Sequence, residues 1–171
     1  MEALEALYDR HSQALLGYLF HIVRDTENAR DLLHDTMVTI AKRASSYKHP
    51  RPFKPWIFTI ARNLAFNFLK KARPKLISNG DNVDGEPLVM DHIASHGVSP
   101  EEAADTRQRV SDLMKVLDTL KSDEKEIVVL RIGQGLSYDE IAPIVGAKAE
   151  AVRQRVSRAV RKLKGELKPG K

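Results

Sequence analysis

Cysteine is absent from the chain, which excludes disulfide staples and thiolate metal ligands. Long apolar runs are absent as well, and none approaches the ~18 residues that a membrane-spanning helix requires. The N-terminal Met1-Glu-Ala-Leu-Glu-Ala-Leu7 is acidic and helical in pattern, and it lacks the basic region and cleavage site of a secretory leader. No nucleophile elbow, phosphate-binding loop or His-Glu-x-x-His pattern occurs, so neither an enzyme nor a cofactor is expected. No segment alternates as a half-buried strand would, and no internal repeat or low-complexity tract is found. These absences leave an all-α cytoplasmic protein with no membrane insertion.

What is present is a foldable, unevenly charged chain. Hydrophobic residues make up 42% and charged residues 30%, which rules out a disordered tail. The formal net charge of +5 is unevenly spread, because residues 148–171 alone carry +7 and residues 74–98 carry −3. Clustered cations at one end are what phosphate binding needs.

Apolar periodicity divides the chain into two helical parts. Leu4, Leu7, Tyr8, Leu15, Leu19 and Ile22 predict a first helix. Asp25-Thr26-Glu27 predicts a break, with Thr26 as the cap of a second helix that carries Ala29, Leu32, Leu33, Thr36, Met37, Ile40 and Ala44. Pro50 and Pro52 make 45–52 a loop. A third helix is predicted from Pro55 to Lys71, with Trp56, Ile57, Ile60, Ala61, Leu64, Ala65 and Phe68 on its apolar side. Residues 74–98 hold three glycines, two prolines and several Asp and Asn, and read as a flexible acidic linker. Helix resumes at Ser99-Pro100 with Val110, Leu113, Met114, Leu117 and Leu120, then again at Ser122 with Ile127, Val128 and Leu130, ending at Gly133 and Gly135. The expected domains are 1–73 and 99–171, two small helical domains joined by the linker 74–98.

The last third carries the most specific pattern. Ser137-Tyr-Asp-Glu140 is a capping box, and Leu136 and Ile141 stand where a hydrophobic staple requires them. Ala142 is small where two helices would cross, and Gly146 supplies the turn. Val152, Val156, Val160 and Leu163 then form an apolar stripe. At ~100° per residue, Gln154, Ser157, Arg158 and Arg161 fall on the opposite face, with Arg153 and Arg155 on its flanks. A capped helix, a glycine turn and a second helix of this kind make a helix-turn-helix, whose second helix enters the major groove. Arg and Gln make bidentate contacts to guanine and adenine edges. Alone, the basic helix would read as solvated surface; the capped helix and turn before it favour DNA. Pro143 interrupts the first motif helix and predicts a local kink.

In the N-terminal part, six of the ten aromatic residues (Tyr47, Phe53, Trp56, Phe58, Phe66 and Phe68) lie interleaved with Lys48, Arg51, Lys54, Arg62, Lys70, Lys71 and Arg73. Rings that stack unpaired bases beside cations that track the backbone suit single-stranded nucleic acid. Trp56 and Phe68 share the apolar face and are assigned to the core. Tyr47, Lys48 and Arg51 of the loop, and Asn63 on the third helix, are the contact candidates. Asp31, His34 and Asp35 share one face of the second helix, beside Arg30. They read as a surface for a basic protein partner, since nothing completes a metal shell around them. His92 and His96 in the linker have no third ligand, so no metal site is expected.

Taken together, these motifs resemble the extracytoplasmic-function (group 4) sigma factors of bacterial RNA polymerase, along almost the whole chain. Leu7-Tyr-Asp-Arg-His11 resembles the start of sigma region 2. Ala29-Arg-Asp-Leu-Leu-His-Asp35 resembles the region 2 helix that binds the polymerase β′ clamp, and Phe53 to Ala65 resembles the aromatic-rich helix of that region. Leu117-Asp-Thr-Leu120 and Gly135 to Ala142 resemble region 4, and region 3 is missing, as in that subfamily. The resemblance implies a non-catalytic initiation factor that directs core RNA polymerase to promoters. It implies that Arg153, Gln154, Ser157 and Arg158 read the −35 duplex, with Arg155, Arg161 and Lys162 near phosphates. It implies that Tyr47, Lys48, Arg51, Phe53, Lys54 and Asn63 capture −10 bases. Asp31, His34 and Asp35 would face the polymerase clamp. Core polymerase (β′ clamp and β flap), promoter DNA and an anti-sigma factor are the implied partners. His34 and Met37 stand where that family commonly has Gln and Phe, and Ala147-Lys-Ala-Glu150 departs from its usual turn. Two other readings compete: a stand-alone regulator that binds an operator without polymerase, and a nucleic-acid enzyme, against which the lack of a catalytic constellation counts.

Overall fold

The computed structural model describes residues 2–48, 50–76, 108, 112 and 114–166, in two compact units, Met1–Glu86 and Pro87–Lys171. Every regular element among the described residues is helical. Most of the expected linker, with His92, His96 and the expected helix start at Ser99, lies outside the described residues.

The N-terminal unit packs three helices, α1 (Glu2–Val23), α2 (Thr26–Arg43) and α3 (Phe53–Leu76), with a 3₁₀ turn at Ala44–Ser46 after α2. Leu15, Tyr18 and Leu19 of α1 meet Ala29, Leu33 and Met37 of α2 and Ile57, Phe58 and Ala61 of α3 in one buried core. Tyr18 and Phe58 are fully buried, and their rings meet nearly edge-on with centroids 5.1 Å apart. Such a pair adds ~0.5–1.5 kcal/mol beyond its buried area. Thr36, also fully buried, satisfies its hydroxyl by donating to the Leu32 carbonyl at 2.6 Å.

Only two residues separate α1 from α2, and both act as caps. Arg24 takes a left-handed φ of 59° and donates its N–H to the Phe20 carbonyl at 2.8 Å. Asp25, not Thr26, caps α2. Asp25 is extended, and its carboxylate accepts from the Asn28 N–H at 2.7 Å. A cap must stand just outside the helix to turn its side chain back, and Thr26 is already the first helical residue.

The third helix begins at Phe53, so Pro55 falls in its first turn, where no backbone partner is lost. The assignment of Trp56 and Phe68 to the core is corrected, since both are half-buried. The inward face of α3 is built from Ile57, Phe58, Ile60, Ala61 and Ala65, and at ~100° per residue Trp56 points well away from its centre. Phe68 shares that face but lies beyond Ala65, the last buried residue of the helix.

The C-terminal unit comprises a helical segment over 114–118, then α4 (Ser122–Val128), a π-helical turn (Val129–Gly133), α5 (Tyr138–Val145) and α6 (Ala149–Glu166). Its core holds Leu117, Leu120, Ile127, Leu130, Leu136, Ile141, Ile144, Val152, Val156 and Ala159. The expected stripe on α6 is thereby adjusted: Ala159 is buried, while Val160 is only half-buried. The side chain of Lys125 is buried beneath the surface, and its ammonium pairs with the Asp118 carboxylate. A buried cation needs such a partner.

Candidate nucleic-acid interface

The C-terminal site begins with how α5 is set. Ser137 accepts from the Glu140 N–H at 3.2 Å, and the Glu140 carboxylate accepts from the Ser137 N–H at 2.8 Å. Leu136 and Ile141, which bracket that box, are both buried. Arg131 reaches across the π-turn exit, donating to the Leu136 carbonyl at 2.8 Å while its guanidinium lies 4.7 Å from the Tyr138 ring centroid. Gly146 takes φ +66°, the left-handed conformation that a helix terminus requires. The Ala147 N–H then bonds the Ala142 carbonyl at 3.0 Å. α5 runs through Pro143 to Val145. The proline is exposed, so water can meet the carbonyl that its missing N–H leaves unbonded.

These caps aim α6 so that one face enters the core and the other stays open. Val152, Val156 and Ala159 are buried, whereas Arg153, Gln154, Ser157, Arg158, Arg161 and Lys162 are all exposed. Five of those six, all but Lys162, line one open concavity of about 550 Å³. The structure therefore brings together most of the residues expected to read duplex DNA. Two stand apart. Arg155 is half-buried and lies 3.8 Å from the Asp123 carboxylate. Lys162 donates to the Thr119 carbonyl, which ties the end of α6 to the turn before α4.

Glu150 is the residue that sequence reasoning missed. Its carboxylate accepts from Arg153 at 2.6 Å and from Gln154 at 3.3 Å. The Arg153 hydrogen bond holds the Glu150 carboxyl below its usual pKa. The spacings of three and four residues on a helix were the available signal.

In the N-terminal unit the candidates form two groups. Around the start of α3, the Tyr47 ring lies 5.3 Å from Phe53 and 5.2 Å from Trp56, and Phe53 lies 5.6 Å from Trp56. His11 of α1 joins them, 5.8 Å from Phe53, and was not anticipated. Burial, reinforced by the Arg10 and Lys54 cations, lowers the His11 pKa. The Tyr47 hydroxyl donates to the Arg51 carbonyl, which closes the loop across its tip. Lys48 and Arg51 are exposed and Lys54 is half-buried. Asn63 is exposed and stands apart from this cluster, about two turns further along the face that carries Trp56.

The second group is on α2. Asp31, His34 and Asp35 are exposed, opposite the buried Ala29, Leu32, Leu33, Thr36, Met37 and Ile40. His34 also edges an apolar groove of about 650 Å³ between α1 and α2, floored by Leu4, Tyr8, Leu33, Met37 and Val38. Among the described residues no three His, Asp or Glu side chains converge as metal ligands would. None of the described helices is long and apolar enough to cross a membrane.

Known proteins share this arrangement. Sigma-70 region 2 matches residues 7–74, and sigma-70 region 4 matches residues 116–165. RNA polymerase sigma factor CarQ of Myxococcus xanthus is 31% identical over 97% of this chain and 91% of its own. The ECF RNA polymerase sigma factor BldN of Streptomyces coelicolor is 29% identical over 95% of this chain, which spans 59% of BldN. A co-crystal structure of the sigma factor RpoE with the anti-sigma factor NepR from Bartonella quintana matches with a TM-score of 0.75 and 25% identity, covering 100% of both chains. Two helical units, one ending in a helix-turn-helix, define a transcription initiation factor of the sigma-70 class. The chain belongs to the extracytoplasmic-function sigma factors of that class.

Proposed function

We propose that the protein directs core RNA polymerase to a specific set of promoters by reading two DNA elements in two physical states. The open face of α6 reads the −35 duplex, with Arg153, Gln154, Ser157 and Arg158 toward base edges and Arg155, Arg161 and Lys162 toward phosphates. The loop and helix start around Tyr47, Lys48, Arg51, Phe53 and Lys54, together with Asn63, capture unpaired −10 bases. Asp31, His34 and Asp35 offer the β′ clamp a polar, partly acidic helix face. Residues 1–73 and 99–171 serve as the two reading domains and 74–98 as the linker. The reading places the protein in the cytoplasm, where polymerase and promoters are. An anti-sigma factor is a further proposed partner, on the analogy of the RpoE–NepR complex.

The observation that carries this reading is the cationic concavity on α6, held outward by the buried face of the same helix. Run-off transcription with core polymerase and templates from the source genome tests it. Promoter-dependent transcripts are expected only when the protein is added. Absence of any such transcript, or tight operator binding without polymerase, overturns it.

A further inference from the structure

One ring of the N-terminal aromatic cluster differs from the rest. Tyr47, Phe53 and Trp56 belong to the loop after α2 and the start of α3, whereas His11 belongs to α1. Its imidazole lies 5.8 Å from the Phe53 ring, tilted by 50°. It is half-buried, so part of the ring still meets solvent. A ring needed only for packing there could be a phenylalanine, which has no polar edge. Histidine adds two ring nitrogens, and both donate hydrogen bonds once the ring is charged.

The surroundings of His11 are cationic. Arg10 precedes it on α1 and is exposed, and Lys54 follows Phe53 on α3 and is half-buried. From the loop, Tyr47 turns its hydroxyl to the Arg51 carbonyl, and Lys48 and Arg51 are exposed. The nearby acid on α1, Asp9, stands about 200° round the helix from His11. Burial first, then Arg10 and Lys54, disfavour the charged imidazole and lower its pKa. The free protein therefore holds the ring neutral at neutral pH. A strand laid across the rings brings phosphates to this cationic edge. A phosphate oxygen offsets the charges of Arg10 and Lys54, which removes their opposition to the imidazolium, and it accepts the imidazolium N–H.

We propose that His11 is a phosphate-contacting residue of the −10 capture surface, neutral in the free protein and protonated on the bound strand. The proposal rests on the reading of the segment from Tyr47 to Lys54 as that surface. The proton comes from solvent and stays on the ring nitrogen that donates to the phosphate. Capture of the melted strand thus takes up a proton, and it tightens as pH falls.

The test uses the full chain assembled with core polymerase. The probe is a rhodamine-labelled downstream fragment, premelted across the −10 element, of a promoter found by run-off transcription. Its anisotropy is titrated at several pH values and salt concentrations. The wild type is expected to bind about tenfold more tightly at about pH 6 than at about pH 8, beyond any change seen with His11→Gln. At the lower pH, His11→Gln is expected to show a slope of log affinity against log salt that is shallower by about 0.7, the mark of one lost single-strand phosphate contact. His11→Phe keeps a ring against Phe53 and is expected to behave as His11→Gln does. Trp56 fluorescence of each free variant checks that the platform stays folded. If His11→Phe matches the wild type in affinity, pH dependence and salt slope, the ring only packs, and the proposal falls while the capture surface stands. A wild-type affinity that is flat with pH overturns it without any variant. If the fragment binds no more tightly than an unrelated single strand of the same length, and Tyr47→Ala changes nothing, the capture reading falls and takes the proposal with it.

Discussion

The two units present candidate nucleic-acid surfaces of opposite construction. In the N-terminal unit the candidate surface is made of rings that lean on one another: Tyr47, Phe53, Trp56 and His11 stand within 5.2–5.8 Å of their neighbours. In the C-terminal unit it has no ring at all, only Arg, Gln, Ser and one Glu on a single helix face. Unpaired bases expose their π-faces, and a half-buried aromatic platform suits them. Paired bases hide those faces and offer only edges, which call for directional donors and acceptors. Under the proposed function, the choice between rings and forks matches the state of the DNA each surface would meet, melted or duplex.

The sharpest way to break the comparison is to damage one core and ask whether the other notices. Phe58→Ala should cost about 3–5 kcal/mol and Ile141→Ala about 2–5 kcal/mol, since both side chains are buried. The chain has one tryptophan, Trp56, so its fluorescence reports only the N-terminal unit. In urea, Phe58→Ala is expected to shift the fluorescence transition. Ile141→Ala is expected to shift part of the circular dichroism transition and leave fluorescence unmoved. A shift of the fluorescence transition by Ile141→Ala, or of the whole circular dichroism transition by either variant, would show that the units fold as one.

Next in size are the contacts with DNA. Arg158→Ala should weaken duplex binding by about 1–3 kcal/mol and relax one position of the upstream preference. Tyr47→Ala should weaken capture of single-stranded −10 DNA by a similar ~1–3 kcal/mol and leave the upstream preference intact. Measured on separate upstream and downstream promoter fragments with the assembled polymerase, the two effects should not cross. Crossing would erase the division of labour.

A smaller effect is expected from Ser137→Ala, which removes the acceptor of the Glu140 N–H. It should lower the stability of the C-terminal unit by ~1 kcal/mol in urea unfolding.

The smallest concerns acidity, and it falls on the N-terminal unit. His11 has its pKa lowered below 6.5 in the folded chain, first by burial and then by Arg10 and Lys54. The folded state therefore binds the proton less readily than the unfolded state. The stabilisation is fully present above 6.5 and is lost as pH falls through the lowered value. Thermal melting followed by Trp56 fluorescence should show a decline in that window, and His11→Gln should flatten it.

Much of this was legible from spacing alone. The capping box at Ser137, the left-handed Gly146 and the outward face of α6 follow from local rules, because each depends on residues within a few positions of one another. The assignments that needed correction depend on distant packing. Trp56 and Phe58 are two residues apart and similarly apolar, and only the positions of α1 and α2 decide which faces inward. The choice of Asp25 over Thr26 turns on where the helix begins, a question of one residue between two good caps. The burial of Lys125 was illegible because its partner, Asp118, lies on the preceding helical segment. Glu150 was legible in principle from its spacing, but a lone acid in a basic run invites the reader to count charge and not geometry.

The π-turn at Val129–Gly133 has a consequence for the segment that leads into the capped helix. Each of its rings closes over one residue more than an α-helical ring. Such a turn is how a helix absorbs an inserted residue without rotating everything downstream. Ile132, 64% exposed, sits inside it and serves no core. The turn takes up Ile132 facing solvent while Leu130 and Leu136, on either side of it, stay buried ahead of the capped helix.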